Sequence, residues 1–530
     1  MLKLALLVGS VLVAASLGAQ SVVPGFTLDT VQDPVAQARA LAFAPDGRLF
    51  YTEFATGQIR VITTPTTTPT LLATPFATVT AFVTSPGTDM GLHGIAFDPA
   101  FATNRFVYVA HTSGTLGNPT LVIRRFTEDT VTPNTATAGS ETTVFGPITM
   151  TASGQRHGAR LRFGPDGKLY LSVGDGGGSF SASGVRAQDV LQNLGKVLRL
   201  ESSGAIPTDN PTSGSPVFAR GLRNPRGIAF NPGDNVPFCA DSGNDSPAGA
   251  DEINRVSQGG LNFGWDAAGI SGDQAVAAYT NPAFSLTALT LPSGMSFYPS
   301  SATNFPADGF RTGVLYYGTE SATGRVFRLI LNGANQTAGI TTKQFASFPQ
   351  PVFDVTFGPD GMMYIATLGV IYRARFTGNQ STNDPIAQAG ADTSFDEGVP
   401  VTLSAGLSSD ADVGTTLTFT WRQVGGSPTV TLTNPTTVNA SFTAPAVSFN
   451  QVLTFEVIVE DGFGGVDSDF VLITIRDING TPGPDDGSGT VGEEGGCTAA
   501  SARLPWAILL LAALVLLRLR KARVNARHQA

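Results

Sequence analysis

Cysteine and histidine are nearly missing from this 530-residue chain, which has two of the first, Cys239 and Cys497, and four of the second. A disulfide scaffold and a multi-cysteine metal centre are therefore excluded, and imidazole chemistry has few candidates. Charge is scarce too, at 14% of residues, while hydrophobic residues reach 42%, a balance that does not describe a disordered chain. Basic residues are the rarer sign, 32 against 41 acids, and every acid falls between residues 21 and 500. So acidic a body argues against nucleic acid as a partner. What the chain has in plenty is Gly, 61 residues, and Pro, 34 residues, which describe a turn-rich all-β protein rather than a helical bundle. Its length exceeds one ordinary core of roughly 100–200 residues, so at least two folded units are expected.

The two ends differ from the body. Lys3, an apolar run over 4–17 and the small pair Gly18-Ala19 predict a secretory signal peptide, 1–19. Near the other end, 504–517 (LPWAILLLAALVLL) is uncharged, and a basic tail, 518–530, follows with Arg518, Arg520, Lys521, Arg523 and Arg527. A helix of that stretch, at about 1.5 Å per residue, reaches roughly 21 Å. It spans the roughly 30 Å hydrocarbon layer only if 498–503 joins it with Arg503 snorkelling outward. The basic flank predicts a cytoplasmic C-terminus. Two readings stay open: a plain single-pass transmembrane anchor, or a tripartite C-terminal sorting signal of exported bacterial proteins, which Cys497, the apolar stretch and the Arg-rich end resemble. Either predicts an exported, membrane-anchored protein whose body lies in the periplasm or at the cell surface.

Between residues 41 and 370 one pattern recurs: a β run ending in Phe, a turn often spelled Pro-Asp-Gly, then an aromatic strand. It reads LAFAPDGRLFYTE, IAFDPAFATNRFVYVAHT, LRFGPDGKLYLSVGD, IAFNPGDNVPFCADSG, MSFYPSSATNFPADGFRTGVLYYGTES and VTFGPDGMMYIATLG, with Phe43, Phe97, Phe163, Phe230, Phe297 and Phe357 spaced 54, 66, 67, 67 and 60 apart. Pro presets φ, Asp bonds the backbone ahead and Gly takes the left-handed position, so each copy is a hairpin. Units that long fit four-stranded blades, and six of them predict a six-bladed β-propeller over 26–377. The fifth copy has the longest turn. Beyond the propeller, 385–476 carries short alternating strands with Trp421 mid-strand, which predict an Ig-like β-sandwich. With its acidic turn Ser409-Asp410-Ala411-Asp412, this stretch resembles the PKD family of surface modules. The Gly-, Pro- and acid-rich 477–497 is a linker.

The loops of the propeller resemble the glucose/sorbosone dehydrogenase family, six-bladed quinoproteins that oxidise sugars with pyrroloquinoline quinone (PQQ) and calcium. The motifs are GLHGIAF (91–97), FGPDGKLYLSVGDGG, LGKVLRLESSGAIPTDNP (194–211), GLRNPRGIAF (221–230) and ADEINRVSQGGLNFGW (250–265). The resemblance implies that Arg223 and Asn224 face the quinone, with Arg223 polarising the carbonyl that receives hydride. It places Asp89 with them at the cofactor, makes Asp175 the carboxylate that orients the catalytic histidine, and gives calcium to the carbonyls of Gly243 and Asn244 and to the pair Asp251-Glu252.

Other positions depart from the family. Its general base histidine stands seven residues before the strand-ending Phe, where this chain has Arg156; His157, one residue later, is the candidate base. A one-residue slip in extended chain turns a side chain to the opposite face. Where the family binds the cofactor's three carboxylates with Lys and Arg, this chain has Ala322, Pro351 and Phe353. Two functions follow from different classes. One is a membrane-tethered oxidoreductase acting on a sugar-like alcohol or aldehyde. The alternative is a non-catalytic, calcium-stabilised propeller for carbohydrate or surface binding.

Overall fold

The computed structural model describes residues 20–478, apart from 244–250, 267–277, 287–289, 307–308, 332–340, 378–383, 412–415 and 462–464. The expected signal peptide, anchor helix and basic tail lie outside the described residues, as does nearly all of the linker. Among the described residues no helix is long and apolar enough to cross a membrane.

Six antiparallel meanders form the larger unit, and each opens with one of the Phe-terminated strands: Ala38–Phe43, Leu92–Phe97, Gly158–Phe163, Pro225–Phe230, Pro292–Phe297 and Val352–Phe357. These are the inner strands of six blades, and each touches the inner strands of both neighbours, so the ring closes. The fifth hairpin holds despite its long turn, with Pro292–Phe297 paired to Val314–Thr319. Closure uses the start of the chain. Phe26–Gln32 forms the outermost strand of the sixth blade against Ile371–Phe376, and Asp29 there takes Arg373 and Arg375, both at 3.0 Å.

The repeated Phe has a common task. Its ring stands edge-on to an aromatic of the second strand in the preceding blade: Phe43 on Tyr364, Phe97 on Phe50, Phe163 on Tyr108, Phe230 on Tyr170, Phe297 on Phe238 and Phe357 on Tyr316, with centroids 4.8–5.4 Å apart. Edge-to-face pairs add about 0.5–1.5 kcal/mol to the burial of their area. The turn acids hold the tyrosines in place, since the hydroxyls of Tyr108, Tyr170 and Tyr364 donate to Asp98, Asp166 and Asp360 at 3.1, 2.9 and 3.0 Å. Asp166 and Asp360 belong to Pro-Asp-Gly turns and also accept the N–H two residues on, while Gly167 and Gly361 take φ of 73° and 68°. One tripeptide thus shapes the turn and fixes the neighbouring seam.

The second unit is a small β-sandwich. Thr393–Asp396, Val466–Arg476, Gln451–Glu460 and Thr418–Gly425 form one sheet, and Pro400–Ser404 with Asn439–Thr443 forms another. Trp421, Phe442, Phe455, Val457 and Ile473 fill its core. Lys343 of the fifth blade meets it, donating to the Val466 carbonyl at 2.5 Å and to Asp384 at 3.2 Å.

Candidate functional site

The described residues singled out from the sequence converge on one end of the propeller, where inner strands begin and second strands finish. Asp89, His157, Arg223 and Asn224 precede inner strands, Asp175 and Gly243 follow second strands, and Asp251-Glu252 opens a third strand. Asn244 lies outside the described residues. Each inner strand is also bulged at this end, with register shifts at Ala38/Ala40, Leu92/Ile95, Gly158/Leu161, Pro225/Gly227, Pro292/Met295 and Val352/Asp354. A bulge re-aims the side chain it carries. Here the bulges supply Arg39, His93, Arg160 and Arg226 to a small cavity that Glu320 also lines.

Four of the charged side chains close a ring. Arg39 lies 3.7 Å from Asp89 and 3.3 Å from Glu320, and Arg226 lies 3.0 Å from Asp89 and in close contact with Glu320. Blades one and four, and the loops before blade two and within blade five, are thereby linked by two cations and two anions. Burial opposes the Asp89 charge, yet Arg226 and Arg39 outweigh it and hold the carboxyl well below its usual range. Phe54 and Phe353 sandwich the Arg39 guanidinium, at 5.1 and 4.6 Å. One position further along its strand, Arg160 donates to the carbonyls of Arg226, Arg39 and Phe353 at 3.0, 3.1 and 2.8 Å, and pairs with buried Asp354 at 3.2 Å.

Asp89, expected beside the cofactor, has its carboxylate engaged by Arg226 and by the Arg156 N–H at 2.8 Å.

The expected base and orienter are also apart. Asp175 is fully buried and receives Arg156 at 3.2 Å, the Trp265 indole N–H at 2.9 Å and the Gly177 N–H at 2.8 Å. Burial raises its pKa against these partners. His157 points elsewhere, and its Nδ1 lies 3.1 Å from Thr112 Oγ1 in the second blade. The backbone explains the divergence: φ is 55° at Arg156 and 66° at Gly158, so adjacent side chains leave the segment in different directions. Thr112 Oγ1 also accepts from the Gly91 N–H at 3.2 Å, and with a second lone pair and a proton of its own it can serve either tautomer of His157. The His157 Nε2 has no hydrogen-bond partner among the described residues. Burial lowers its pKa to about 4, so it is neutral near pH 7.

Arg223 and Asn224 are firmly held. Asp241, which the sequence reading passed over, accepts the Arg223 N–H at 2.9 Å and the Asn224 N–H at 2.6 Å. Burial pushes its pKa up to about 7 despite those bonds. The Arg223 guanidinium lies over Trp265 at 5.5 Å and donates to the Ser242 carbonyl at 3.3 Å. The Asn224 amide oxygen faces Arg226, at 2.7 Å from Nε.

The pair Asp251-Glu252, expected to hold calcium, has protein partners of its own. The two Asp251 oxygens accept the N–H groups of Gly243 at 2.7 Å and Leu291 at 2.6 Å, and Glu252 accepts from Asn254 at 3.0 Å. Among the described residues no three acidic, imidazole or thiol groups converge on a metal position. Asp251 thereby ties two loops together.

The profile of glucose/sorbosone dehydrogenases matches residues 35–372. The chain belongs to the glucose/sorbosone dehydrogenase family. A PKD domain follows, its profile matching 389–475. Relatives of the propeller include quinoprotein glucose dehydrogenase B of Acinetobacter calcoaceticus, 30% identical over 264 residues, 46% of this chain and 52% of that protein. Aldose sugar dehydrogenase YliI of Escherichia coli is 32% identical over 241 residues, 42% of this chain and 60% of the relative. Each match spans between half and two thirds of the relative's own length. The soluble aldose sugar dehydrogenase of Escherichia coli, solved in its apo form, superposes with a TM-score of 0.55 at 26% identity, covering 66% of this chain and 99% of that one.

The residues present do not fit the family's cofactor. A tricarboxylate needs uncompensated cations, and here Arg39, Arg226 and Arg160 are each already paired to a carboxylate. Ala322 is exposed and uncharged, and Phe353 is buried under Arg39.

Proposed function

We propose that the propeller is a sugar-binding member of its family, recognising a sugar-like ligand at the site face without quinone-dependent oxidation. The observation that carries this reading is the Asp175–Arg156 pair: the carboxylate that would orient a base holds a guanidinium, and His157 Nδ1 lies against Thr112 Oγ1 instead. A general base must first reach the proton it removes. A second reading, oxidation of the sugar, is favoured by Arg223 and Asn224, whose backbone is fixed by Asp241. Calorimetry of the full-length protein with sugars, beside dye reduction with and without PQQ and calcium, separates the two. Binding heat without dye reduction is expected. Turnover that requires PQQ and is lost in Arg223→Ala would establish the oxidoreductase.

The same proposal includes export and tethering by 504–517, with the propeller and PKD domain in the periplasm or at the cell surface. Lys3 with its apolar run, and the Arg-rich end after 517, support it. A chain ending at residue 476 is expected in the soluble fraction. Its recovery in the membrane pellet alongside the full-length chain would refute the tether.

A further inference from the structure

The geometry points to the Arg39–Asp89–Arg226–Glu320 ring as a specificity-determining floor that selects uncharged polyols and rejects carboxylated ligands, PQQ included. The inference rests on the sugar-binding reading above and narrows it to a class of sugar.

Three observations carry it. The ring is closed and electrically balanced, each guanidinium touching both carboxylates and each carboxylate both guanidiniums. It lies at the axis, where Arg39, Arg226 and Glu320 line a water-sized cavity of about 10 Å³ with His93 and Arg160, so a sugar would rest on the ring rather than within it, and its four side chains keep between 9% and 18% of their surface open. It is also rigid. Phe54 and Phe353 clamp Arg39, Asn224 braces Arg226, and the Arg156 N–H holds Asp89.

A fixed ring of alternating donors and acceptors has a natural complement. A sugar hydroxyl donates one hydrogen bond and accepts others, so two neighbouring hydroxyls can bridge a guanidinium and the next carboxylate without adding charge. A carboxylate ligand meets a different field. Whichever arginine it approaches, Asp89 or Glu320 stands within 3.0–3.7 Å of that arginine, with Arg226–Glu320 in still closer contact, and like-charge repulsion offsets the gain. His93 adds a donor–acceptor group of the same kind. Its Nε2 donates to the Asp89 carbonyl at 2.8 Å, which leaves Nδ1 as an acceptor.

The test inverts the charge of the ring one step at a time. Full-length protein is titrated with glucose, galactose, glucuronate, galacturonate and glucosamine, for the wild type, Glu320→Gln and Arg39→Gln. Wild type is expected to bind a neutral sugar at least tenfold more tightly than its uronate. Glu320→Gln, which leaves the ring with one excess positive charge, should gain at least tenfold for the uronates, and Arg39→Gln should gain similarly for glucosamine. A purely structural role would lower all affinities together and shift no preference. Equal wild-type binding of glucose and glucuronate overturns the inference, and so does a folded Glu320→Gln or Arg39→Gln protein with no change in charge preference. If wild type binds no sugar at all, the sugar-binding reading fails, while a gain of uronate binding in Glu320→Gln would still support the ring as a charge filter.

Discussion

Replacing Arg160 by Met should unfasten the propeller from its axis while leaving the PKD domain untouched. The side chain comes from blade three, and its guanidinium donates to carbonyls of blades one, four and six, at 3.1, 3.0 and 2.8 Å. Methionine roughly keeps the length of the stem and removes every one of those donors. It also strips Asp354 of its nearest cation, leaving Arg162 at 3.6 Å and the Leu41 N–H at 2.8 Å as the main support of a fully buried carboxylate. Breaking a buried pair from one side costs about 3–5 kcal/mol. The three carbonyls lose charge-assisted bonds as well, each net about 1.5–3 kcal/mol, but the terms overlap because the pair and the bonds share one group. A total of about 5 kcal/mol is a large fraction of the roughly 5–15 kcal/mol by which domains are stable. With a urea slope of about 3 kcal/mol/M, the propeller midpoint should fall by roughly 1.5 M. Near-ultraviolet dichroism against urea reads the transition, and the PKD transition, resting on its own core around Trp421, serves as the internal standard. A propeller midpoint within 0.3 M of wild type (a tolerance of about 1 kcal/mol) would refute the reasoning.

Three further outcomes are expected. His157 and His111 both have pKa values lowered to about 4 from 6.5, chiefly by burial, so the unfolded chain binds more protons between those values and stability falls as pH drops through that window. Each should remove roughly 2 kcal/mol between pH 7 and pH 5, and urea titrations of His157→Gln with His111→Gln should show a flattened pH dependence; an unchanged slope would sink the assignment. Arg156→Ala, which leaves buried Asp175 without its cation, should lower stability by about 2–4 kcal/mol, and adding Asp175→Asn should recover much of it in a double-mutant cycle; additive losses would deny the pairing. PQQ with calcium, passed with the full-length protein through gel filtration, should leave no quinone absorbance with the protein peak, whereas stoichiometric retention would show that the cations of the ring are available after all.

Much of the fold could be read in the sequence because one physical device repeats. The Pro-Asp-Gly turn and the strand-ending Phe are local, and all six proposed hairpins are present. Closure by Phe26–Gln32 was not legible, since nothing local in FTLDTVQ names a partner so distant in the chain. At the site, the departures at Arg156, Ala322 and Phe353 were legible because each alters charge at a motif position. The destination of His157 was not, because it depends on a positive φ at a non-glycine residue. The ring could have been found by aligning the six repeats on their Phe. Four places before it stand Arg39, His93, Ala159, Arg226, Ser293 and Phe353, a column too polar for the interior of a propeller. Glu320 and Asp241 lie on second strands or just beyond them, where no such column exists.

The borrowed strand of the sixth blade also sets a timetable. Phe26–Gln32 is synthesised before all six inner strands, yet its partner lies 348 residues later by the Thr27–Arg375 contact. Throughout that interval it is an unpaired edge, the kind of segment on which nascent chains aggregate. Its composition answers the hazard. Thr27, Asp29, Thr30 and Gln32 interrupt the apolar residues, and Asp29 is a charge that repels stray strands until Arg373 and Arg375 arrive to neutralise it. The same carboxylate thus guards the strand while the chain is incomplete and fastens it once the last blade has formed.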